Sequence, residues 1–445
     1  MRNASKKIVF VLGAGFSKAD GVSLQSELLM NIFTLFPEET QIQSNFIELS
    51  INSIEQWVMS FYDEFDKCRQ ILADFLVDNF TSIEKKAEYY SIKSLSSINL
   101  PSMDEYLIRA YKIASEVNVT LEDLFTIFDK VILGHEHFQL YSAESITTIH
   151  KALRICIIFL LSHQCAQIEA RENTISKLFS KKIFDIRVVS GRFDDGLSII
   201  TMNWDSLLEK ELFQLSQDYN SNNPEVRIYP DLCFYDDSYN RDKERPVSTH
   251  VKAKGYRNIK LLKLHGSINW LTCPYCGRTY VDFEDDIALN ELSLGCFCPE
   301  CQENTMSEKS PQMHSTLITP TFLKDLNDLH LKSIWHNALI ELIEADKIVF
   351  IGYSFPDADF EMRCLLKKAV QPNTEIEVVL HHSDNPEPYK VQLENHKFSS
   401  NDKHALLERL NLPERRYNAF FGNKVITFHY NGIEGYIQQE MVNEQ

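Results

Sequence analysis

The chain has 445 residues, with 45 Lys and Arg against 63 Asp and Glu, and a net charge of -18. That length exceeds one typical domain, so two or three units, or one nucleotide fold with large insertions, are expected. The charge repels phosphate backbones and sets direct nucleic-acid contact aside. No secretory segment is visible, and the longest purely apolar run, Ile155 to Leu161, is too short to cross a bilayer, so no membrane contact and a cytoplasmic location are expected.

The first element is the apolar run Ile8 to Leu12, followed directly by Gly13-Ala14-Gly15-Phe16-Ser17. Such a run reads as a strand buried on both faces of a parallel sheet. The small residues after it let backbone approach a ligand, with a phosphate or nucleotide as the first guess. The dehydrogenase fingerprint wants a third glycine where this chain has Lys18, and Glu38 and Glu39 follow a helical pattern instead of a second strand. Leu24, Leu28, Leu29 and Ile32 recur at helical spacing, giving a helix expected to pack back on the first strand and to end at Pro37.

From residue 37 to 190 the breakers are Gly134, Pro37 and Pro101, so helices are expected there and hairpins are not. Ile54, Trp57, Phe61, Phe65, Cys68, Leu72 and Phe75 share one face behind a Ser53/Gln56 capping box, and Ser102 with Glu105 makes a second box. Leu121, Leu124, Phe125, Phe128 and Val131 form a third segment that Gly134 would terminate, and Ile146 to Ile168 forms a fourth. Residues 37–190 therefore read as an all-helical insertion. Its aromatic stripes read as core packing, and His135 and His137 as a solvated turn.

From Gly196 the pattern returns to strands and helices. Leu197 to Met202 reads as a strand, Asn203-Trp204-Asp205 as a turn and Ser206 to Leu215 as a helix. Tyr219 to Arg257 is a long irregular connection with a short strand near Val226 to Tyr229. Ile259 to Leu264 is a third strand running into His265-Gly266-Ser267. Ser315 to Thr319 is apolar, Leu329 to Ile343 helical, and Lys347 to Ile351 a strand entering Gly352-Tyr353-Ser354. A helix over Asp357 to Val370, strands over Glu375 to Leu380 and Val425 to His429, and a last helix complete the series. This alternation predicts an α/β fold, a Rossmann-like, mostly parallel sheet wound on both faces, with ligands at the carboxyl ends of its strands.

Ten cysteines would suit disulfides or metal, but five of them fall between Cys273 and Cys301 in paired spacing while the rest are scattered, which fits a reducing compartment and a metal. Cys273-Pro274-Tyr275-Cys276 and Cys298-Pro299-Glu300-Cys301 are two knuckles suited to one tetrahedral Zn²⁺, a closed structural site; Cys296 is a spare that could replace one ligand. Three polar turns follow predicted strands: Asn203 with Asp205, His265 with Ser267, and Gly352 with Ser354. Each also has a local explanation, with Asp205 and Ser354 as helix caps and His265 as a turn residue satisfied by backbone. One fold nevertheless brings all of them to a single rim with the Gly13 loop.

Gly13-Ala14-Gly15-Phe16-Ser17, Thr201-Met202-Asn203-Trp204-Asp205, Leu264-His265-Gly266, the two cysteine knuckles and Gly352-Tyr353-Ser354 resemble the sirtuin motifs in their order. The tail from Phe350 to Asp359 is similar, more specifically, to bacterial sirtuin-like proteins, several groups of which act in antiphage defence. The resemblance covers residues 6 to 36 and 196 to 440, which implies a sirtuin-like NAD-binding Rossmann domain from 1–36 and 191–445, interrupted by the helical insertion 37–190 and by a zinc-binding module at 271–303. It implies NAD bound across the rim, with its pyrophosphate at Gly13, Ala14, Gly15, Phe16 and Ser17 and its adenosine end near Gly352 and Ser354. Asp205 would hold the nicotinamide carboxamide, Asn203 would order a water or ribose hydroxyl, and His265 would be the general base.

Protein-deacylating sirtuins follow the first loop with a Phe-Arg pair, whereas Gly21 to Ser26 here leads straight into a helix; their Gln before the catalytic Asn is Met202 here. Both departures count against deacylation more than against NAD binding, and the first reading is an NAD+ glycohydrolase, a hydrolase acting in antiviral defence by NAD depletion. The alternatives are a deacylase or ADP-ribosyltransferase, and a non-catalytic NAD-sensing or scaffold subunit. The aromatic-rich insertion favours a homo-oligomer, and a second defence protein as partner or trigger fits the same reading.

Overall fold

The computed structural model describes residues 6–35, 51–96, 103–189, 196–223, 228–231, 257–282, 287–292, 297–299, 301, 312–324, 326, 328–356, 359–381, 413–439 and 441. In chain order the elements are β1 (Ile8–Leu12), α1 (Ala14–Lys18), α2 (Gln25–Thr34), α3 (Ile51–Phe80), α4 (Ile83–Ser96), α5 (Met103–Ser115) and α6 (Leu121–Gly134). The short strands β2 (His137–Phe138) and β3 (Tyr141–Ser142) precede α7 (Ala143–Glu169) and α8 (Ile175–Val189). Then come β4 (Leu197–Thr201), α9 (Leu207–Asn222), β5 (Ile228–Asp231), β6 (Arg257–Lys263), β7 (Gly266–Thr272), β8 (Thr279–Val281) and β9 (His314–Leu317). The rest are α10 (Leu329–Ile343), β10 (Lys347–Ile351), α11 (Phe360–Ala369), β11 (Glu375–Val379), α12 (Pro413–Phe421), β12 (Ile426–His429) and α13 (Gly432–Gln439).

The chain divides into two compact units. One comprises Met1–Asp20, Arg171–Gly266 and Asn327–Gln445, the other Gly21–Ala170 and Ser267–Leu326. The first holds a seven-stranded sheet in the order β12-β11-β10-β1-β4-β6-β5, every pairing parallel. Strand β1 is the hinge of this order. The chain moves from β1 to β4 and outward on one side, then returns to place β10 against β1 on the other, so the strand order reverses between β1 and β10, the place where doubly wound sheets open a crevice. The predicted α/β sheet is thus present. Its central strands are buried at every position, Ile-Val-Phe-Val-Leu in β1 and Lys-Ile-Val-Phe-Ile in β10, because strands covered on both faces need apolar side chains in both directions. Phe10 packs edge-on to Phe179 of α8, 5.5 Å between ring centroids. Helices α8, α9 and α13 form one contiguous group on the sheet, and α10 with α11 another.

The second unit is helical around α7, which packs on α2, α3 and α6. Phe65 stacks on Phe159 at 4.2 Å, and the Arg69 guanidinium lies over Phe65 and Tyr111, 4.7 Å from each centroid. Uninterrupted apolar runs understate α7: over its 27 residues it is long and apolar enough to cross a membrane by composition, yet most of its apolar side chains are buried inside the unit, as in a core helix. Helix α2 also lies in this unit, packed on α5 and α7. Gly134 is the last helical residue of α6; the left-handed capping position falls on His135, φ 50°, and a two-residue hairpin follows where only helix was expected. His135 and His137 are exposed, as a solvated turn requires.

Ser315 to Thr319 does not extend the main sheet. It contributes β9 to a separate three-stranded sheet, β8-β7-β9, in the second unit. The side chains of both expected capping boxes, Ser53/Gln56 and Ser102/Glu105, lie outside the described residues, as does Cys296.

Candidate functional site

The reversal point is built from two glycine loops held backbone to backbone. Gly13 N–H donates to Ile351 O (3.0 Å) and Gly15 N–H to Gly352 O (2.8 Å), while Phe16 N–H donates to Gly13 O (2.9 Å). A Cβ on Gly13 would lie 2.6 Å from Tyr353 Cα, and one on Gly352 would lie 2.2 Å from Phe16 N; Gly352 also has φ +61°. The glycines therefore serve first to bring the ends of β1 and β10 together, and the loop presents less free backbone than a phosphate cradle read from spacing alone. Phe16 turns inward against Phe179 (5.2 Å), whereas Ala14 and Ser354 are exposed.

Ser17 is the node of the site. Its hydroxyl donates to Asp205 Oδ2 (2.7 Å) and accepts from Asn203 Nδ2 (2.8 Å), which also donates to Gly13 O (3.0 Å). Sequence reading named these three residues separately; the fold joins them in one network spanning the ends of β1 and β4. With Nδ2 engaged, the amide oxygen of half-buried Asn203 is the atom it has for ordering a water or hydroxyl. Asp205 is turned to Ser17, so its carboxylate does not act as the cap of α9; that helix has Ser206 before it and no side-chain cap bond.

Beneath Asp205 lies a buried ion pair that sequence reading missed. Lys263 Nζ reaches Glu209 Oε1 and the Asp205 carbonyl, each at 2.5 Å, with Lys263 and Glu209 both almost wholly buried. Burial raises the Glu209 carboxyl above its ordinary range, opposed by the Lys263 charge. The signal available in the sequence was two lysines, Lys260 and Lys263, among the leucines of a strand otherwise read as buried.

His265 follows β6. Leu264 N–H donates to Thr201 O (2.9 Å), which seats His265 beside the Asn203 turn, and Trp335 Nε1 clamps the Leu264 carbonyl (3.0 Å). His265 is buried, and its Nε2 lies 4.0 Å from Asp359 Oδ1. Asp359 accepts from the Tyr353 hydroxyl (3.2 Å). On the other side of the rim, Arg416 donates to Ser354 O (3.0 Å) and Tyr417 to Tyr353 O (2.8 Å), fixing the Gly352–Phe355 loop.

These turns lie in a recognisable stretch of sequence. Residues 197–399 match the model of the SIR2-like domain. That span takes in Asn203, Asp205, His265, the four knuckle cysteines, Gly352 and Ser354, and leaves the Gly13 loop outside it. No curated protein matches the chain. Among solved structures, a Sir2 homologue in complex with NAD is 14% identical over 72% of this chain and 91% of its own, with TM-score 0.32. A mutant Sir2 homologue in complex with ADP-ribose is 13% identical over 95% of both chains, TM-score 0.30. Superpositions as loose as these decide nothing about chemistry; the strand order and the SIR2-like span support a functional reading.

In the second unit, Cys273, Cys276, Cys298 and Cys301 place their sulfurs within 4.8 Å of one another, with Cys273–Cys301 and Cys276–Cys298 both at 3.8 Å. Four thiolates about 2.3 Å from a central Zn²⁺ form a tetrahedron with edges of about 3.8 Å, so the cluster fits such an ion. Tyr280 Oη sits 3.0 Å from Cys298 Sγ, an outer contact of the kind that orients metal-bound thiolates.

Proposed function

We propose that this chain is an NAD+ glycohydrolase, splitting NAD into nicotinamide and ADP-ribose at the carboxyl-end rim of its main sheet. The observation that carries the reading is the Ser17–Asn203–Asp205 network across the ends of β1 and β4, next to the strand-order reversal, with His265 seated beside it. In the reaction the C1′–N bond breaks, its electron pair passing to the pyridinium nitrogen, so nicotinamide leaves neutral and the ribose carbon gains oxocarbenium character. Water bonds to that carbon and gives its proton to His265, which releases it to solvent. Asp205 would accept from the carboxamide, and Asn203 Oδ1 would hold the water. Gly13 to Ser17 would lie along the pyrophosphate, with Gly352 and Ser354 near the adenosine end.

Hydrolysis is favoured over acyl transfer by Met202, 8% exposed, at the position before Asn203 where the deacylating sirtuins carry Gln. The four cysteines would hold one Zn²⁺ as a closed structural ion, supplying rigidity to their module and no chemistry at the ribose. The biological setting we propose is cytoplasmic antiphage defence by NAD depletion, in a homo-oligomer and with a second defence protein as partner or trigger.

The test is mass-resolved product analysis of purified protein with NAD, with and without an acetylated peptide. Nicotinamide and ADP-ribose without peptide are expected, and Asn203→Ala and His265→Ala, each folded by circular dichroism, should lose them. Release retained in both variants sinks the assignment of the site. Turnover that requires the peptide makes the chain a deacylase.

A further inference from the structure

The His265–Asp359 contact is unusual in what it spans. His265 follows β6 and Asp359 follows β10, and in the sheet order β10-β1-β4-β6 these strands lie three steps apart. At about 4.8 Å per step that is about 14 Å of sheet edge. For Nε2 and Oδ1 to stand 4.0 Å apart, the segments after β6 and β10 together must span the ends of β1 and β4.

Asp359 is held for this purpose. It occupies the position before α11, where an Asp ordinarily caps the helix with its own carboxylate, yet its side chain makes no cap bond. The carboxylate turns to the Tyr353 hydroxyl and the imidazole instead, while its backbone is tied at both ends, N–H to Pro356 O (3.3 Å) and C=O from Arg363 N–H (3.1 Å). Both partners are largely desolvated, with side-chain exposures of 10% for His265 and 14% for Asp359, so their interaction is little screened. Burial first, and then the charge of Asp359, hold the Tyr353 phenol well above its ordinary range, so Tyr353 stays a donor.

We infer that Asp359 is the positioning residue of His265: its carboxylate, fixed by Tyr353, stabilises the imidazolium that forms when His265 takes a proton. This rests on the reading of His265 as the base, and Asp359 itself touches no reacting atom. Other charged groups stand on the surrounding elements. Lys263, on the same strand, faces Glu209 and the Asp205 carbonyl; Asp205 faces Ser17; Arg363 on α11 lies over the Phe355 and Phe420 rings, and its charge also acts on Tyr353, opposing that of Asp359 there. Lys332 and His336 lie on α10 with Trp335, and Glu361 on α11 two residues after Asp359. Asp359 is the carboxylate whose oxygen stands 4.0 Å from Nε2.

The decisive measurement is an NMR titration of the His265 ring in the full chain without NAD, its signal assigned by loss in His265→Gln. In Asp359→Asn the His265 pKa should fall by at least about one unit, a tenfold loss of proton affinity, and Asp359→Glu should restore most of it. In turnover, the acid limb of the pH profile should move down by the same amount with a lowered plateau. A His265 pKa within a few tenths of wild type in Asp359→Asn overturns the inference. So does a pKa that falls equally in Asp359→Glu, because then packing and not charge is what matters. Should no variant, wild type included, release nicotinamide, the glycohydrolase reading falls while the titration still decides the pairing.

Discussion

Replacing Gly352 by Ala tests whether the two glycine loops are pressed together. Two effects act at this position. The backbone has φ +61°, which is unfavourable for a residue with a Cβ by about 1–2 kcal/mol. The new Cβ would also lie 2.2 Å from Phe16 N and 2.5 Å from Gly15 C, backbone atoms tied in place by the Gly15–Gly352 hydrogen bond, and overpacking of that kind costs about 1–3 kcal/mol. The expected loss is therefore about 2–5 kcal/mol. Gly422→Ala is the matched control: its φ is +65°, but nothing lies within 4 Å of its Cβ, so it should lose only the conformational part. Urea unfolding of both variants, compared at unchanged slope, reads the difference. Equal losses would mean that the loops do not touch as closely as this, and the argument that the glycines exist for loop-to-loop contact would fail.

Cys276→Ser should bind less than one zinc per chain by elemental analysis and unfold at lower temperature, whereas the wild type should carry one; wild-type protein purified without metal and equally stable would refute the structural role. Lys263→Met alone leaves the Glu209 carboxyl buried without its partner and should destabilise by about 3–5 kcal/mol, while Lys263→Met with Glu209→Leu should recover most of that in the same unfolding assay. At Glu377, burial raises the carboxyl but hydrogen bonds from His429, Lys347 and Tyr436 outweigh it and hold the pKa at about 2. A depressed carboxyl contributes stability that is complete above its unfolded value near 4.5 and is lost as pH falls toward 2, so wild type should exceed Glu377→Gln in stability at pH 6 and lose that margin by pH 2. A margin independent of pH would exclude the charge as its source.

How much of this was legible depends on where each signal resides. Strand β10 and helix α10 carry the bounds that sequence reading assigns them, because a strand buried on both faces is apolar throughout and an amphipathic helix repeats within itself; both signals are local. Strand β7 had no such signal. Its Ser267, Asn269 and Thr272 are all buried and interrupt the apolar run expected of a strand covered on both faces, Asn269 donating to Asp282 O (2.7 Å) and Thr272 sharing a hydrogen bond with Thr279 (3.0 Å), and these partners exist only once the small sheet has formed. The site divides in the same way. Asn203, Asp205 and His265 stand within a few residues of strand ends, and Ser17 in the short helix after β1; strand ends are where an α/β sheet places its ligands, so the pattern of turns exposes them one by one. Their joining through the Ser17 hydroxyl depends on β1 lying next to β4. Asp359 is more hidden still: sequence reading puts it inside the helix that begins at Asp357, and its approach to His265 across the β1–β4 pair exists only in the folded sheet. Groups that act by charge across a sheet leave no spacing to read. A motif can therefore contain a residue such as Asp359 without showing the partner we propose for it, because that partner is set by the order of the strands and not by the spacing along the chain.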